Sequence, residues 1–220
     1  INTYGIARLH ANGSVDSTFM LTENRGSVRQ IEITADQDIL VSTTRDLFKV
    51  NLNGEVQSSF NLEFFKNLYQ VVKFKIAGDG KIYAGDSNAI YRLNSDGSED
   101  TSFDIGSGKC CITTTSFDFD LQGEKIIYGS AFTQYNGVNV NKLIRLNPDA
   151  SIDASFNIGA GPNGAVSLIK VLDNNEIIVD GFFTQFDVVN NGDNRMVKLS
   201  ENGTVIPSFS QKAILPLYYG

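Results

Sequence analysis

The 220-residue chain has no tryptophan, one histidine, two cysteines and four prolines. Each shortage removes a class of function. The single His10 stands at the lip of a turn, in a slot that other copies of a repeat fill with Asn94 and Asn147, so it reads as a repeat variant rather than a general base. Cys110 and Cys111 are adjacent. Neighbours along a strand point to opposite faces and a bond between them is strained, which excludes a disulfide framework and a metal-ligand spacing. No apolar run approaches 18 residues, so no membrane insertion is expected. No Lys/Arg cluster tracks a phosphate backbone, and a formal charge of -7 argues against a nucleic-acid partner. Neither a Gly-x-Ser-x-Gly elbow nor a phosphate loop is present. No catalytic residue, cofactor or metal is therefore expected. The opening "INTYG", without Met or signal peptide, suggests a processed product or a domain of a longer polypeptide.

What is abundant is repetition. "RLHANGSVDSTF" (8–19), "RLNSDGSEDTSF" (92–103) and "RLNPDASIDASF" (145–156) are copies of one phrase, with weaker copies at 49–60 and 198–209. Their closing phenylalanines, Phe19, Phe60, Phe103, Phe156 and Phe209, are 41, 43, 53 and 53 residues apart. Between phrases recur an alternating apolar run and, after a polar turn, a second one. Period-two alternation and a turn every eight to twelve residues predict antiparallel β structure throughout. Each unit reads as four short strands, the architecture of a propeller blade, in a closed β-propeller or an open propeller-like arc. One repeat domain over 1–220 is expected: a partial unit 1–19, full units at about 20–60, 61–103, 104–156 and 157–209, and an apolar cap at 210–220. In strand three Ala7/Leu9, Phe48/Val50, Tyr91/Leu93, Ile144/Leu146 and Val197/Leu199 should face a neighbouring blade.

On the other face of strand three stands a cation in every unit, with a partner eight residues on. Arg8, Arg92 and Arg145 meet Asp16, Asp100 and Asp153, whereas Lys49 and Lys198 meet Gln57 and Ile206. This pattern predicts cross-strand arginine–carboxylate pairs that brace the hairpin, since a guanidinium fork matches a carboxylate and an ammonium does not. Calcium is disfavoured, because each turn offers one or two carboxylates where six to eight oxygens are wanted. The turn glycines Gly13, Gly54, Gly97 and Gly203 give way to Ala150 in the fourth phrase, whose turn should differ or be strained.

The last two units carry longer loops between strands two and three, sharing an aromatic-Thr-Gln-aromatic core at 132–135 and 183–186. Insertions at one place in successive repeats leave the same edge, so Tyr135, Asn136, Asn139, Asn141, Phe186, Asn190 and Asn191 are candidate recognition residues, against the alternative that the aromatics tuck back over the blade. Asp118, Asp120, Asp173 and Asp180 are the carboxylates available for a glycosidase-like pair.

The phrase "RLNxDGSxDxSF", with its "GKIY"-like strand and "FTQ" element, resembles the delta-60 repeat family of predicted β-propellers. Arg145–Phe156 and Lys125–Tyr135 carry the likeness best, and the first two intervening stretches lack the "FT" element. The resemblance implies modules of large bacterial surface or secreted proteins, or phage structural proteins, with no catalytic residues to carry over. A non-catalytic structural or binding module on an extracellular surface or a phage particle is thus expected. Its partners would be other subunits, the rest of a longer chain, or glycan. The alternative is a glycan-binding or glycan-active propeller with carboxylates or calcium in a pocket.

Overall fold

A computed structural model describes residues 4–60, 73–85, 90–106, 118–190 and 195–210. The chain forms two compact units, Ile1–Phe103 and Asp104–Gly220. Both cysteines, Asn191 and all but Ser210 of the expected cap at 210–220 lie outside the described residues.

Unit 1 holds two antiparallel sheets. In the first, β1 (Val28–Ile33), β2 (Ile39–Thr43) and β3 (Leu47–Val50) run in spatial order; the second is β4 (Lys73–Ile76), β5 (Ile82–Gly85) and β6 (Ile90–Leu93). Unit 2 repeats the plan with β7 (Asp118–Gln122), β8 (Lys125–Gly129) and β11 (Leu143–Leu146), then β12 (Val166–Val171), β13 (Ile177–Gly181) and β16 (Met196–Leu199). The expected loops fold as hairpins, β9 (Gln134–Tyr135) with β10 (Val138–Asn139) and β14 (Gln185–Phe186) with β15 (Val189–Asn190). Class and order follow the alternation of apolar residues read along the chain. The exception is one helical turn, α1 (Pro207–Ser210), where the fifth phrase reaches its phenylalanine.

The expected fourth strand is reduced to a single bridge in every copy: Leu9↔Val15, Val50↔Val56, Leu93↔Glu99, Leu146↔Ile152 and Leu199↔Val205. The cause is local. In three copies the residue just after the bridge, Asp16, Asp100 or Asp153, takes the amide and hydroxyl of Thr18, Ser102 or Ser155 on one carboxylate oxygen, which turns the chain out of the ladder. Gly54, at φ +86°, packs so closely that a Cβ would lie 2.6 Å from the Met20 carbonyl oxygen.

Consecutive blades bury apolar side chains against one another. Phe74, Ile82, Ala84 and Leu93 cluster with Leu40, Leu47 and Phe60 of the blade before. Ile127 and Leu143 join Val166, Ile169, Val179 and Val197 of the blade after. Strand three turns its expected face inward at Phe48, Val50, Leu93, Ile144, Leu146, Val197 and Leu199. The first copy departs from the expectation: Ala7 is exposed, and Leu9 is 57% exposed where its four counterparts are at 0%. The reason is that no earlier blade covers that face among the described residues, and Ile6 enters the core instead.

Candidate functional site

The arginine pairs form at all three expected places. Nε of Arg8, Arg92 and Arg145 donates to Oδ2 of Asp16, Asp100 and Asp153 at 2.9, 2.8 and 2.6 Å. The second arm of each guanidinium reaches the hydroxyl of Thr18, Ser102 or Ser155. Its Cζ lies 4.9–5.3 Å from the ring centroid of Phe19, Phe103 or Phe156, which accounts for the phenylalanine that closes these three phrases. The third arm leaves the blade: Arg8 donates to the Leu52 carbonyl, and Arg145 to the Glu201 carbonyl at 2.7 Å. Leu52 and Glu201 hold the same turn position one repeat further on. The guanidiniums of Arg8 and Arg145 thus clamp their own hairpins to the next blade's backbone, whereas the third arm of Arg92 donates to the Tyr83 hydroxyl at 3.4 Å.

A fourth participant escaped the sequence reading. The residue that opens the second strand is Asp38, Lys81, Lys125 or Glu176. In the arginine blades it is a lysine, and Lys81 and Lys125 join Asp100 and Asp153 at 2.9 and 2.6 Å. In the lysine blades it is an acid: Lys49 pairs with Asp36 and Asp38 at 2.9 and 3.2 Å, and Lys198 with Glu176 at 2.9 Å. The lysine blades have therefore not lost their carboxylate; it moved from the bridge to the strand-two turn. The signal was available, since that position changes sign in step with the Arg/Lys choice.

These contacts hold the carboxylates ionised. The hydroxyl and amide of Thr18, with Arg8, lower Asp16 to about 2. The Ser102 hydroxyl, ahead of Lys81 and Arg92, holds Asp100 well below the usual range. Burial opposes the charge on Asp153, and Lys125, Ser155 and Arg145 together outweigh it. A carboxyl depressed on folding binds fewer protons folded than unfolded, so its stabilisation is complete above the ordinary value of 3.8 and is lost as pH falls through the folded value. Thermal melts should accordingly give a melting temperature nearly flat from about pH 7 to 5 and a steep fall between about pH 4 and 2. Asp153→Asn should remove part of that acid-side slope.

The long-loop edge belongs to unit 2. Tyr135 and Phe186 are corrected from contact residues to core, being 3% and 0% exposed. The aromatic-Thr-Gln-aromatic motif folds inward: Tyr128 stacks on Phe132 at 5.0 Å, Phe183 meets Phe186 edge-on, and Tyr135 donates from its hydroxyl to the Ala150 carbonyl at 2.9 Å. Ala150 keeps the turn of its glycine counterparts, with its amide on the Asn147 carbonyl at 2.9 Å. It does so at φ +69°, so the turn is strained rather than different. Tyr135→Phe should cost about 0.5–1.5 kcal/mol in urea unfolding, the net value of one such bond.

Asn136 and Asn139 are exposed on the hairpin, and Asn139 accepts from Gln134. Asn141 is held by the Ala160 carbonyl and Lys142. Asn190 is in β15. Between the first hairpin and the segment after Phe156 lies an open groove of about 440 Å³, with Asn139, Asn141, Asn157 and Ile158 on its walls and Arg145 and Asp153 beneath. Val138 and Val188 stand on the two hairpins at 52% and 86% exposure.

The carboxylates considered for catalysis are placed otherwise. Asp118 and Asp120 are buried and accept the amides of Ile169 and Val171 at 2.7 and 2.9 Å, joining β7 to β12. Asp173 is exposed in a turn, and burial pushes the Asp180 carboxyl up from its ordinary value. Among the described residues no three His, Cys, Asp or Glu side chains gather as a metal site. No described helix is long and apolar enough to cross a membrane.

Among curated proteins none matches the chain. Solved structures similar in fold include a protein of unknown function from Bacteroides caccae (15% identity, TM-score 0.53, covering 93% of this chain and 74% of that one). Virginiamycin B lyase from Staphylococcus aureus, solved as an inactive variant with quinupristin, is 17% identical at TM-score 0.52. A gluconolactonase from Xanthomonas campestris is 12% identical at TM-score 0.52. The alignments cover 84% and 90% of this chain, which spans 56% of the lyase and 66% of the gluconolactonase. At these identities the likeness is one of fold. A profile of a β-propeller family, the domain of unknown function DUF5122, matches residues 1–19, 77–103, 125–156 and 172–209, more than half of the chain, and covers four of the five phrases with their bridges, together with Lys81, Lys125 and Glu176. The chain belongs to the DUF5122 β-propeller family.

Proposed function

We propose that this propeller chain, its repeat of the delta-60 kind, is a non-catalytic structural or binding module of a larger surface or virion assembly. The observation that carries the reading is where the recurrent polar residues are spent. The Arg–Asp pairs, the strand-two lysines and acids, and Asp118 and Asp120 are all engaged in holding hairpins and blades together. The exposed features of unit 2 are of another kind: two short hairpins carrying Val138, Val188 and asparagines beside an open groove. An apolar residue flanked by amide side chains suits a protein surface or a glycan face better than an acid–base step. Propeller enzymes among the fold neighbours favour a second reading, a ligand bound in that groove.

Native mass spectrometry of the chain recovered from its source is the test. Recovery in an assembly of defined stoichiometry, lost in a Val138→Ser/Val188→Ser variant whose melting temperature is unchanged, supports the module. Recovery as a monomer that binds on a glycan panel, with the same variant behaving as wild type, overturns it.

A further inference from the structure

The inner strands of consecutive blades are joined by side chains that bond to backbone. In unit 1 the Gln30 carboxamide accepts the Phe74 amide at 3.1 Å and donates to the Phe74 carbonyl at 2.7 Å, and Glu32 accepts the Ile76 amide at 3.2 Å. In unit 2 Asp118 and Asp120 do the same for Ile169 and Val171. The registers make these positions equivalent: Gln30 and Asp118 oppose Ser42 and Gly129, Glu32 and Asp120 oppose Leu40 and Ile127. The rule is therefore two acceptor side chains, two residues apart, on one inner strand, meeting two outward amides on the next.

On β1 the residues equivalent to Phe74 and Ile76 are Ile31 and Ile33, which oppose Val41 and Ile39 as Phe74 and Ile76 oppose Ala84 and Ile82. Thr34 donates its amide to the Asp38 carbonyl, so by alternation the amides of Ile33 and Ile31 point away from β2. Their side chains are 70% and 52% exposed, whereas Phe74, Phe119 and Ile169 at the position of Ile31 are 0–3% exposed. An apolar strand edge with outward amides is a template for pairing.

We infer that this edge of β1 docks the inner strand of another blade of this repeat, one that presents carboxylate or carboxamide side chains at two positions two residues apart. The chain's own described strands do not supply it to a second copy. Gln30/Glu32 and Asp118/Asp120 already hold β4 and β12, and the equivalent positions on β4 and β12 are Lys73/Lys75 and Leu168/Lys170, which cannot accept. This site lies in unit 1 and does not depend on the loop-edge reading above.

The test adds a copy of the hairpin Asp118–Gly129 ahead of Ile1 through a flexible linker, and a second fusion with leucine at both acceptor positions of the added copy. Amide exchange at Ile31 and Ile33 is followed by NMR. Docking predicts fast exchange at both in the unmodified chain and slowing by about tenfold or more in the acceptor-bearing fusion only. Equal slowing in both fusions, or none in the first, overturns the acceptor rule. Slow exchange already in the dilute unmodified chain, matching Ile169 and Val171, shows the edge to be covered. Protection that rises with concentration together with a dimer mass assigns it to a second copy instead; either result overturns the proposal.

Discussion

Replacing Arg145 by Met is expected to cost about 3–5 kcal/mol of unfolding free energy in a urea titration, the range for removing one partner of a buried ion pair. Its guanidinium is 4% exposed and serves Asp153, Gln122, Ser155 and the Glu201 carbonyl at once, over the Phe156 ring. Lys125 stays beside Asp153 in the variant, which places the loss toward the lower end of the range. Arg145→Lys is not expected to restore stability, because an ammonium cannot bond to four groups spread around a planar fork. Arg8→Met removes the equivalent contacts to Asp16, Thr18, the Leu52 carbonyl and Phe19 from a side chain that is 35% exposed, and should cost far less. Equal losses at Arg8 and Arg145 would show that burial does not set the value of the clamp.

Asp118→Leu and Asp120→Leu should each cost about 1–3 kcal/mol, the penalty for leaving a buried amide without an acceptor. The two sites share β7 and β12, so the double variant will not be the plain sum. The diagnostic readout is residue-specific. Exchange at Ile169 and Val171 should accelerate, while the β7–β8 ladder, which does not use these carboxylates, keeps its protection. Asp118→Asn retains an acceptor and should hold most of the stability, as the carboxamide of Gln30 does in unit 1. Full protection of Ile169 in Asp118→Leu would dismiss the ladder as a cause of blade cohesion.

The strand order, the hairpin turns and the arginine pairs were legible because each is written locally, within the eight residues from Arg145 to Asp153 or the alternation of "VSLIKV". Two features were not. The acid partners of Lys49 and Lys198 lie 11 and 22 residues back, across the register of strands two and three, and show only when Asp38, Lys81, Lys125 and Glu176 are superposed. Asp118 and Asp120 looked like free acids because their partners are main-chain amides 51 residues on, which no side-chain pattern marks. At the loop edge Tyr135 and Phe186 were weighed both as a contact face and as aromatics tucked over the blade, and they are tucked: a short hairpin beside a blade end gains more by covering that end than by displaying a ring, and only its turn residues stay outside.

Beyond the apolar packing, the polar groups by which one blade grips the next fall mainly on main chain, with Lys170 to Asp120 at 3.3 Å a side-chain exception. Arg8 takes the Leu52 carbonyl, Arg145 the Glu201 carbonyl, Gln122 the carbonyls of Asn175 and Glu201, and Asp118 and Asp120 take amides. Every residue type except proline offers those groups alike. An exchanged blade therefore needs few new polar partners on its neighbours, while Lys125, Arg145 and Asp153 work only as a set. Within this chain the turn residues change from blade to blade, and the internal triad recurs whole as Lys81, Arg92 and Asp100 and as Lys125, Arg145 and Asp153.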